Sequence, residues 1–385
     1  MLFGGTAAAP VAALANGTLA HCLDFDDTYV KAVSHMSAPI WAATLAEGEE
    51  AGADEGAMLA AFVTGFETAS RIGGGLGEAV TARGWHGTGV FGRLGAAAAS
   101  AALLRLDAER ALAALALGAT QAGGLTASFG TMAKPFHAGK AAMDGVIAAE
   151  LAKAGFSAAT GLFEPGGGLD AALVQDHSAA IAPADFSGWA ILDNSFKPYA
   201  ACHLVHPAVD AARRLAPAAR DLDGLRAARA EIGELALEVT GGKSGRPATP
   251  LAAKFDLAYC VALALHGRTL SAEDFREPWR PDAAICATAA KVAATAAAEM
   301  GFTAARLTLD FADGRTLGAH VPIAKGHPGN PMSWEDMWDK FRGLVAPRLG
   351  GDGERLFALV REFGRAEGRG RALGEMRRIL QKLAD

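Results

Sequence analysis

Apolar residues recur at helical spacing over most of the first half of the chain. Ala7–Asp24, Asp54–Ile72, Gly95–Leu106, Ala108–Ala122 and Lys140–Ala154 are long Ala/Leu-rich runs punctuated by glycine. Together they predict that residues 1 to about 190 are almost wholly helical. Asp54 stands where it can cap the second run and Asp107 where it can cap the helix opening at Ala108. Glu109 lies in that helix's first turn, where a negative charge suits the dipole. After about Ile191 the period shortens. Glu234–Thr240 (ELALEVT) alternates apolar and polar residues, as a half-buried strand does. Arg306–Phe311 and Thr316–Val321 alternate on either side of Ala312-Asp313-Gly314, a hairpin signal. Pro250–His266 and the segment opening at Ser271 read as helices. Helix then returns: Ser333 and Asp336 form an S-x-x-D capping signature before Met337–Leu344. The amphipathic stretches Glu354–Phe363 and Arg371–Leu383 follow, and they are expected to pack back on the N-terminal helices.

This pattern predicts a mainly α protein with an α+β part. Residues 1–190 and 326–385 form a helical large domain, and residues 191–325 form a smaller inserted α+β domain. A chain of 385 residues agrees with two cores, since single cores stop growing at roughly 250–300 residues. Apolar residues make up 51% of the chain and aromatics only 7%, so the interior must be built from Ala, Leu and Val, which lets helices approach closely.

A net charge of −6 argues against a nucleic-acid partner. The apolar stretch Leu94–Leu104 is about half the length needed to span a bilayer, and Arg105 follows it, so no membrane segment is expected. No cationic segment precedes an apolar run at the N-terminus, so no secretory signal is expected. Cys22, Cys202, Cys260 and Cys286 form no C-x-x-C pair, which disfavours a zinc ribbon and suits a reducing cytoplasm.

Four local clusters carry candidate chemistry. They are His21-Cys22-Leu23-Asp24-Phe25-Asp26-Asp27-Thr28 followed by His35; Arg83-Gly84-Trp85-His86-Gly87-Thr88-Gly89; Lys134-Pro135-Phe136-His137-Ala138-Gly139-Lys140; and Lys197-Pro198-Tyr199 running on to Cys202, His203 and His206. Each places a proton-transfer group beside Gly, Pro or another small residue, in a loop or at a helix end. Histidine works as acid or base near neutral pH, and lysine holds a carboxylate as a cation or acts as a base when burial lowers its pKa.

Blander readings compete with these. Asp24, Asp26 and Asp27 look like a metal triplet, but the 12-residue calcium loop with its glycine and closing acid is absent. One of the three carboxylates is expected instead to cap or orient a neighbour. His137 could cap a helix beginning near Lys140, and Lys134 and Lys140 could be solvated lysines. Gly73-Gly74-Gly75-Leu76-Gly77 follows no strand and lacks the lysine of a P-loop, and Gly166-Gly167-Gly168 reads as a turn. No G-x-S-x-G stands at a strand–helix turn, which removes the common serine-hydrolase reading.

Taken together, the clusters resemble the 2-methylcitrate dehydratase and cis-aconitate decarboxylase family, often called MmgE/PrpD. The likeness rests on Ala13-Leu14-Ala15-Asn16-Gly17 leading to His21, Asp24-Phe25-Asp26-Asp27-Thr28 and His35, then on the His86, Lys134 and Lys197 motifs, and closes with Lys254-Phe255-Asp256-Leu257-Ala258-Tyr259-Cys260. The motifs run in the family's order over nearly the whole chain.

The resemblance implies a homodimer, an active site between two domains, and chemistry without metal or organic cofactor. The substrate implied is a small polycarboxylate: 2-methylcitrate to be dehydrated, cis-aconitate to be decarboxylated, or iminodisuccinate to be epimerised. By motif position it places catalytic residues at Asp24, His35, His86, Lys134, Lys197 and Tyr259, and substrate contacts at Thr28, with His203 also carried over. His137 and Lys140, from the Lys134 cluster, join the substrate-binding candidates. Met36 and Ala200 stand where the family usually has proline, which is expected to alter loop shape. The acidic motif begins at Asp24, so fewer helices are expected ahead of it than in relatives.

Removing a proton beside a carboxylate builds charge on that carboxylate, and Lys134 and Lys197 suit the cations that must meet it. His35 and His86 share the roles of acid and base, with Asp24 expected to orient one imidazole. The leading expectation is a dehydratase, a carbon–oxygen lyase acting on a hydroxylated tricarboxylate such as 2-methylcitrate; an epimerase of iminodisuccinate, a cis-aconitate decarboxylase and a non-catalytic binding relative are the alternatives.

Overall fold

A computed structural model describes residues 5–219, 221–243, 245–365 and 372–382. Contacts divide the chain into a first unit of residues 1–22, 26–194 and 344–385 and a second of residues 23–25 and 195–343. The class is mainly helical with a mixed sheet, as the periodicity predicts.

The first unit holds α1 (Ala9–His21), α2 (Ser37–Glu50), α3 (Glu55–Gly73), α4 (Gly77–Ala82), α5 (Gly87–Leu103), α6 (Ala108–Ala119), α7 (Ala133–Lys153) and the short α8 (Leu169–Leu173). Asp54 and Asp107 cap α3 and α6 as expected, accepting from the backbone N–H of Ala57 and Arg110. Every residue of α5 except Ala102 is buried, and α2, α3, α6 and α7 pack around it.

Close helix approach depends on small residues. Ala12, Ala13, Ala43, Ala96, Ala142 and Val146 share one buried cluster. α1 and α7 cross where Gly17 faces Gly139, and a Cβ on Gly17 would sit 2.9 Å from the Gly139 Cα. A Cβ on Gly139 would strike the Leu14 carbonyl and the Thr18 hydroxyl. Gly139→Ala is therefore expected to destabilise the protein by about 1–3 kcal/mol, read as a lower urea midpoint; an unchanged midpoint would contradict this packing.

Two helices open earlier than the apolar runs suggest. α5 starts at Gly87 rather than Gly95 and α7 at Ala133 rather than Lys140. Glycines and Pro135 mask both starts, yet a first helical turn tolerates proline because its N–H groups have no intrahelical partner. The expectation of helix up to residue 190 also fails. Beyond α7 only α8 and short 3-10 turns interrupt irregular chain, rich in Gly, Pro, Ser and Asp. Gly166-Gly167 falls in a turn, as expected.

The second unit contains a four-stranded sheet of β1 (Leu225–Ile232), β2 (Val292–Ala296), β3 (Ala305–Phe311) and β4 (Thr316–Val321), in the order β2-β1-β3-β4. β1 runs parallel to β2, pairing Ala228 with Val292, and antiparallel to β3, pairing Ile232 with Ala305. The β3–β4 hairpin forms where expected, with Ala305 opposite Val321. α9 (His206–Leu215) packs against β3 and β4.

Glu234–Thr240 is a helix, α10, rather than a strand. Tertiary packing overrides its alternation: the strand is the preceding Leu225–Ile232, whose ladder ends before Gly233. The Pro250–His266 run is two helices, α11 (Pro250–Ala253) and α12 (Leu257–Leu265). They are split at Asp256, whose side chain caps α12 by accepting from the Tyr259 N–H. The segment at Ser271 is a 3-10 turn with a capping box, and α13 (Ala283–Ala289) leads into β2.

α14 (Trp334–Leu349), α15 (Asp352–Glu362) and α16 (Ala372–Gln381) finish the chain, and Ser333 and Asp336 make the expected reciprocal bonds. Within the first unit the last helices pack on the N-terminal ones. Phe363 meets Trp41 edge-on at 5.5 Å, and the Glu55 carboxylate takes the Leu373 N–H. The expected ends of the last stretch, Arg371 and Leu383, lie outside the described residues. No helix among the described residues is long and apolar enough to cross a membrane.

Candidate active site

The first unit gathers imidazoles at helix ends. His21 closes α1, His35 stands two residues before α2, His86 is the N-cap residue of α5, and Lys134 and His137 lie in the first turns of α7. Ring centroids are 4.6 Å apart for His21 and His35, 6.1 Å for His21 and His86, 6.3 Å for His35 and His86, and 5.3 Å for His86 and His137. The Lys134 Nζ lies 3.5 Å from His35 Nε2. Apart from His21, at the C-terminal end of α1, the cluster sits at the N-terminal ends of α2, α5 and α7, where N–H groups and dipoles favour negative charge.

Backbone geometry makes room for the rings. Gly124 sits at φ +109, and a Cβ there would come within 3.3 Å of the His137 ring and 3.5 Å of the His86 Cβ. Its carbonyl accepts the His86 N–H at 3.0 Å. Phe129 covers the cluster, edge-on to His86 at 5.0 Å and beneath the Lys134 ammonium at 5.4 Å.

Hydrogen bonds fix the protons. His35 Nδ1 lies 2.6 Å from the Asp27 carbonyl oxygen, which can only accept, so Nδ1 carries a hydrogen. The neutral ring then presents its lone pair at Nε2, facing Lys134. Likewise His21 Nδ1 donates to Asp26 at 2.7 Å. Burial, followed by the charge of Lys134, holds the His86 pKa well below the ordinary histidine value; burial also lowers that of His137. A neutral imidazole beside an ammonium is an arrangement able to pass a proton to or from a bound acid.

The acidic motif divides its labour. Asp27 accepts from the Ser37 N–H at 3.1 Å, the Ser37 hydroxyl at 2.6 Å and the Asn194 amide at 2.9 Å, so it anchors the start of α2. Burial, then repulsion from Asp26, raises its pKa to about 6. Thr28 is buried; its hydroxyl donates to the Asp27 carbonyl at 2.8 Å and lies 3.4 Å from His35 Nδ1. The carboxylate bonded to an imidazole in this cluster is that of Asp26, on His21. Asp24 instead serves a lysine.

That lysine is Lys197, in the second unit. Its fully buried Nζ donates to Asp24 Oδ1 at 2.8 Å and to the Asp24 carbonyl at 3.1 Å. Asp24 adopts φ +53, a left-handed conformation that side chains disfavour. Ammonium groups hold the carbonyls on both sides of it. Lys254 donates to the Leu23 carbonyl, and Lys340 donates to those of Phe25 at 2.6 Å and Lys197 at 2.8 Å. Lys340 is thus a positioning residue. Lys340→Met should lower kcat/KM about 10- to 100-fold, with partial recovery in Lys340→Arg; wild-type kcat/KM in the methionine variant would contradict that role.

His203 is buried near Lys197, its ring tilted against that of His206 with centroids 4.6 Å apart, and among the described residues neither of its ring nitrogens has a hydrogen-bond partner. Burial, then the Lys197 charge, pushes its pKa down to about 3. Tyr259 is buried on α12 with its ring edge-on to Trp279 at 5.9 Å. Lys140 forms an ion pair with Asp144, which also holds the buried Arg93 at 2.9 Å. Ala200, standing in a usual proline position, donates its N–H to the Leu270 carbonyl at 2.8 Å, a bond proline could not make.

His35, His86, Lys134 and His137 therefore meet in the first unit, and Asp24, Lys197 and His203 in the second. Sequence reasoning left out His21, Asp26, Lys254 and Lys340 as site residues. The five-residue spacing of His21 and Asp26 across a helix end was a usable signal; Lys340, on an ordinary amphipathic helix, offered none.

Residues 2–182 match the MmgE/PrpD N-terminal domain and residues 199–363 the MmgE/PrpD C-terminal domain. The chain belongs to the MmgE/PrpD family. A cis-aconitate decarboxylase-like protein, oryM, of Aspergillus oryzae is 28% identical over 378 residues, covering 90% of this chain and 77% of the relative. The cis-aconitate decarboxylase of Aspergillus terreus is 27% identical over 370 residues, covering 87% and 74%. The human cis-aconitate decarboxylase is 32% identical over 212 residues, covering 52% and 43%. This MmgE/PrpD chain thus shares a dehydratase- and decarboxylase-type family with lyases.

Proposed function

We propose that this MmgE/PrpD chain is a lyase that moves a proton at carbon beside a carboxylate of a small di- or tricarboxylic acid, without a resident metal or organic cofactor. The observation that carries the reading is the His35 ring, its Nδ1–H bonded to a carbonyl and its Nε2 facing the Lys134 ammonium 3.5 Å away. Nε2 takes or returns the carbon proton, while Lys134 stabilises the charge that develops on the neighbouring carboxylate. In a dehydration the proton taken by His35 passes to the departing hydroxyl, which leaves as water, and the neutral His86 gives that group a hydrogen bond from its ring N–H. Thr28, 3.4 Å from His35 Nδ1, is assigned to orienting the polyanion; within the second unit, Lys197, Asp24, His203 and Tyr259 are the residues proposed for holding a carboxylate.

Dehydration of a hydroxylated tricarboxylate such as 2-methylcitrate is the first form of this reaction. Decarboxylation of cis-aconitate is a second, favoured by the names of the relatives that span most of the chain. Epimerisation of a dicarboxylate such as iminodisuccinate would use the same proton transfer without elimination. Incubating the protein with citrate, 2-methylcitrate, cis-aconitate and iminodisuccinate, with product chromatography and CO₂ collection, separates these forms. Conversion of one acid by loss of water or CO₂ supports the lyase reading. Inversion alone supports the epimerase. No change in any acid by folded protein contradicts catalysis and favours a binding role.

A further inference from the structure

The imidazoles of the first unit have a second capability. His21, His35 and His86 each offer one ring nitrogen, and the three lie within 4.8 Å of one another. In His21 and His35, Nδ1 faces the Asp26 carboxylate and the Asp27 carbonyl, so Nε2 is the nitrogen that each ring can offer to a metal ion once it carries no proton there. The Nε2 atoms of His21 and His86 are buried without a hydrogen-bond partner among the described residues. A carboxylate or carbonyl behind an imidazole is the usual outer support of a metal-binding histidine, fixing its tautomer and raising its basicity.

We propose that His21, His35 and His86 form a three-imidazole site for a borderline divalent transition-metal ion of the Zn²⁺, Co²⁺ or Ni²⁺ class, which inhibits the protein when bound. Nitrogen ligands suit these ions, whereas Mg²⁺ and Ca²⁺ demand oxygen. Bonds of about 2.0–2.1 Å to a tetrahedral ion put ligand nitrogens about 3.3 Å apart, so the widest pair must close by up to roughly 1.5 Å. Asp26, bonded to His21 and 3.7 Å from His35 Nδ1, supplies compensating negative charge. Lys134, 3.5 Å from His35 Nε2, opposes the ion. A metal on these nitrogens occupies the lone pair assigned to proton transfer; only this inhibitory consequence rests on the proposed function.

The test is a Co²⁺ titration of tag-free, chelator-treated protein without substrate, read by the visible d–d absorption of low-coordinate Co²⁺. The expected result is saturation at one ion per chain, displacement by Zn²⁺ and none by Mg²⁺. His21→Ala and His86→Ala, checked for folding by circular dichroism, should weaken binding about tenfold or more. Lys134→Met should tighten it, and this variant decides the matter if the histidine variants do not fold. Absence of the band, a band indifferent to His21→Ala, or weaker binding in Lys134→Met would overturn the site. Because binding is read without turnover, an inactive protein that takes up Co²⁺ defeats only the lyase reading. An active one that binds none defeats only this proposal. In an active protein, micromolar Zn²⁺ should inhibit and a chelator restore turnover.

Discussion

Lys197→Met is expected to abolish turnover and also to destabilise the fold by about 3–5 kcal/mol, because it leaves the Asp24 carboxylate buried without its ammonium. Asp24 is only 3% exposed and Lys197 is fully enclosed, so water cannot replace the lost partner. Combining Lys197→Met with Asp24→Asn removes both charges and should restore most of the stability while leaving the protein inactive. Such a double-variant cycle separates the pair's structural cost from its chemical role. Urea unfolding of the four proteins beside a turnover assay checks it; a Lys197→Met variant as stable as wild type would contradict the buried pair.

His35→Gln should behave in the opposite way, losing about 10²–10⁴-fold in turnover with little change in unfolding midpoint. The ring is only partly buried and its Nδ1 bond goes to a backbone carbonyl. Equal losses of activity and stability would make His35 a packing residue. The pH behaviour follows from His86. Its pKa is lowered, so the folded protein keeps that ring neutral at pH values where an unfolded chain, near 6.5, takes up a proton. ¹⁵N-histidine spectra should therefore show His86 neutral from pH 8 down past pH 6. In Lys134→Met, with a neighbouring cation gone, protonation should begin at higher pH than in wild type. Titration of wild-type His86 near 6.5 would contradict its burial.

Much of this was legible in the chain. The helices up to Lys153, the Asp54 and Asp107 caps, the β3–β4 hairpin and the return of helix after Ser333 follow from spacing alone, because each is a local signal satisfied locally. His35, His86, Lys134 and His137 were also visible, since a His or Lys beside Gly or Pro at a helix end is unusual. Non-local packing hid the rest. ELALEVT alternates like a strand, yet the sheet is already filled by the preceding segment, which leaves a helix to cap it. Asp24, Asp26 and Asp27 are indistinguishable by composition. Only the fold assigns one to Lys197, one to His21 and one to the start of α2. Lys340 acts on backbone carbonyls 143 and 315 residues away, and no local pattern encodes that.

Solvent deuterium tests the central claim most directly. In D₂O, wild-type protein converting a polycarboxylate should place deuterium at the carbon beside a carboxylate, in the product of decarboxylation or in recovered substrate of a reversible dehydration, as seen by NMR. Folded His35→Gln and Lys134→Met should place almost none. Conversion with no label at that carbon, or wild-type labelling by both variants, would contradict proton transfer by the His35–Lys134 pair.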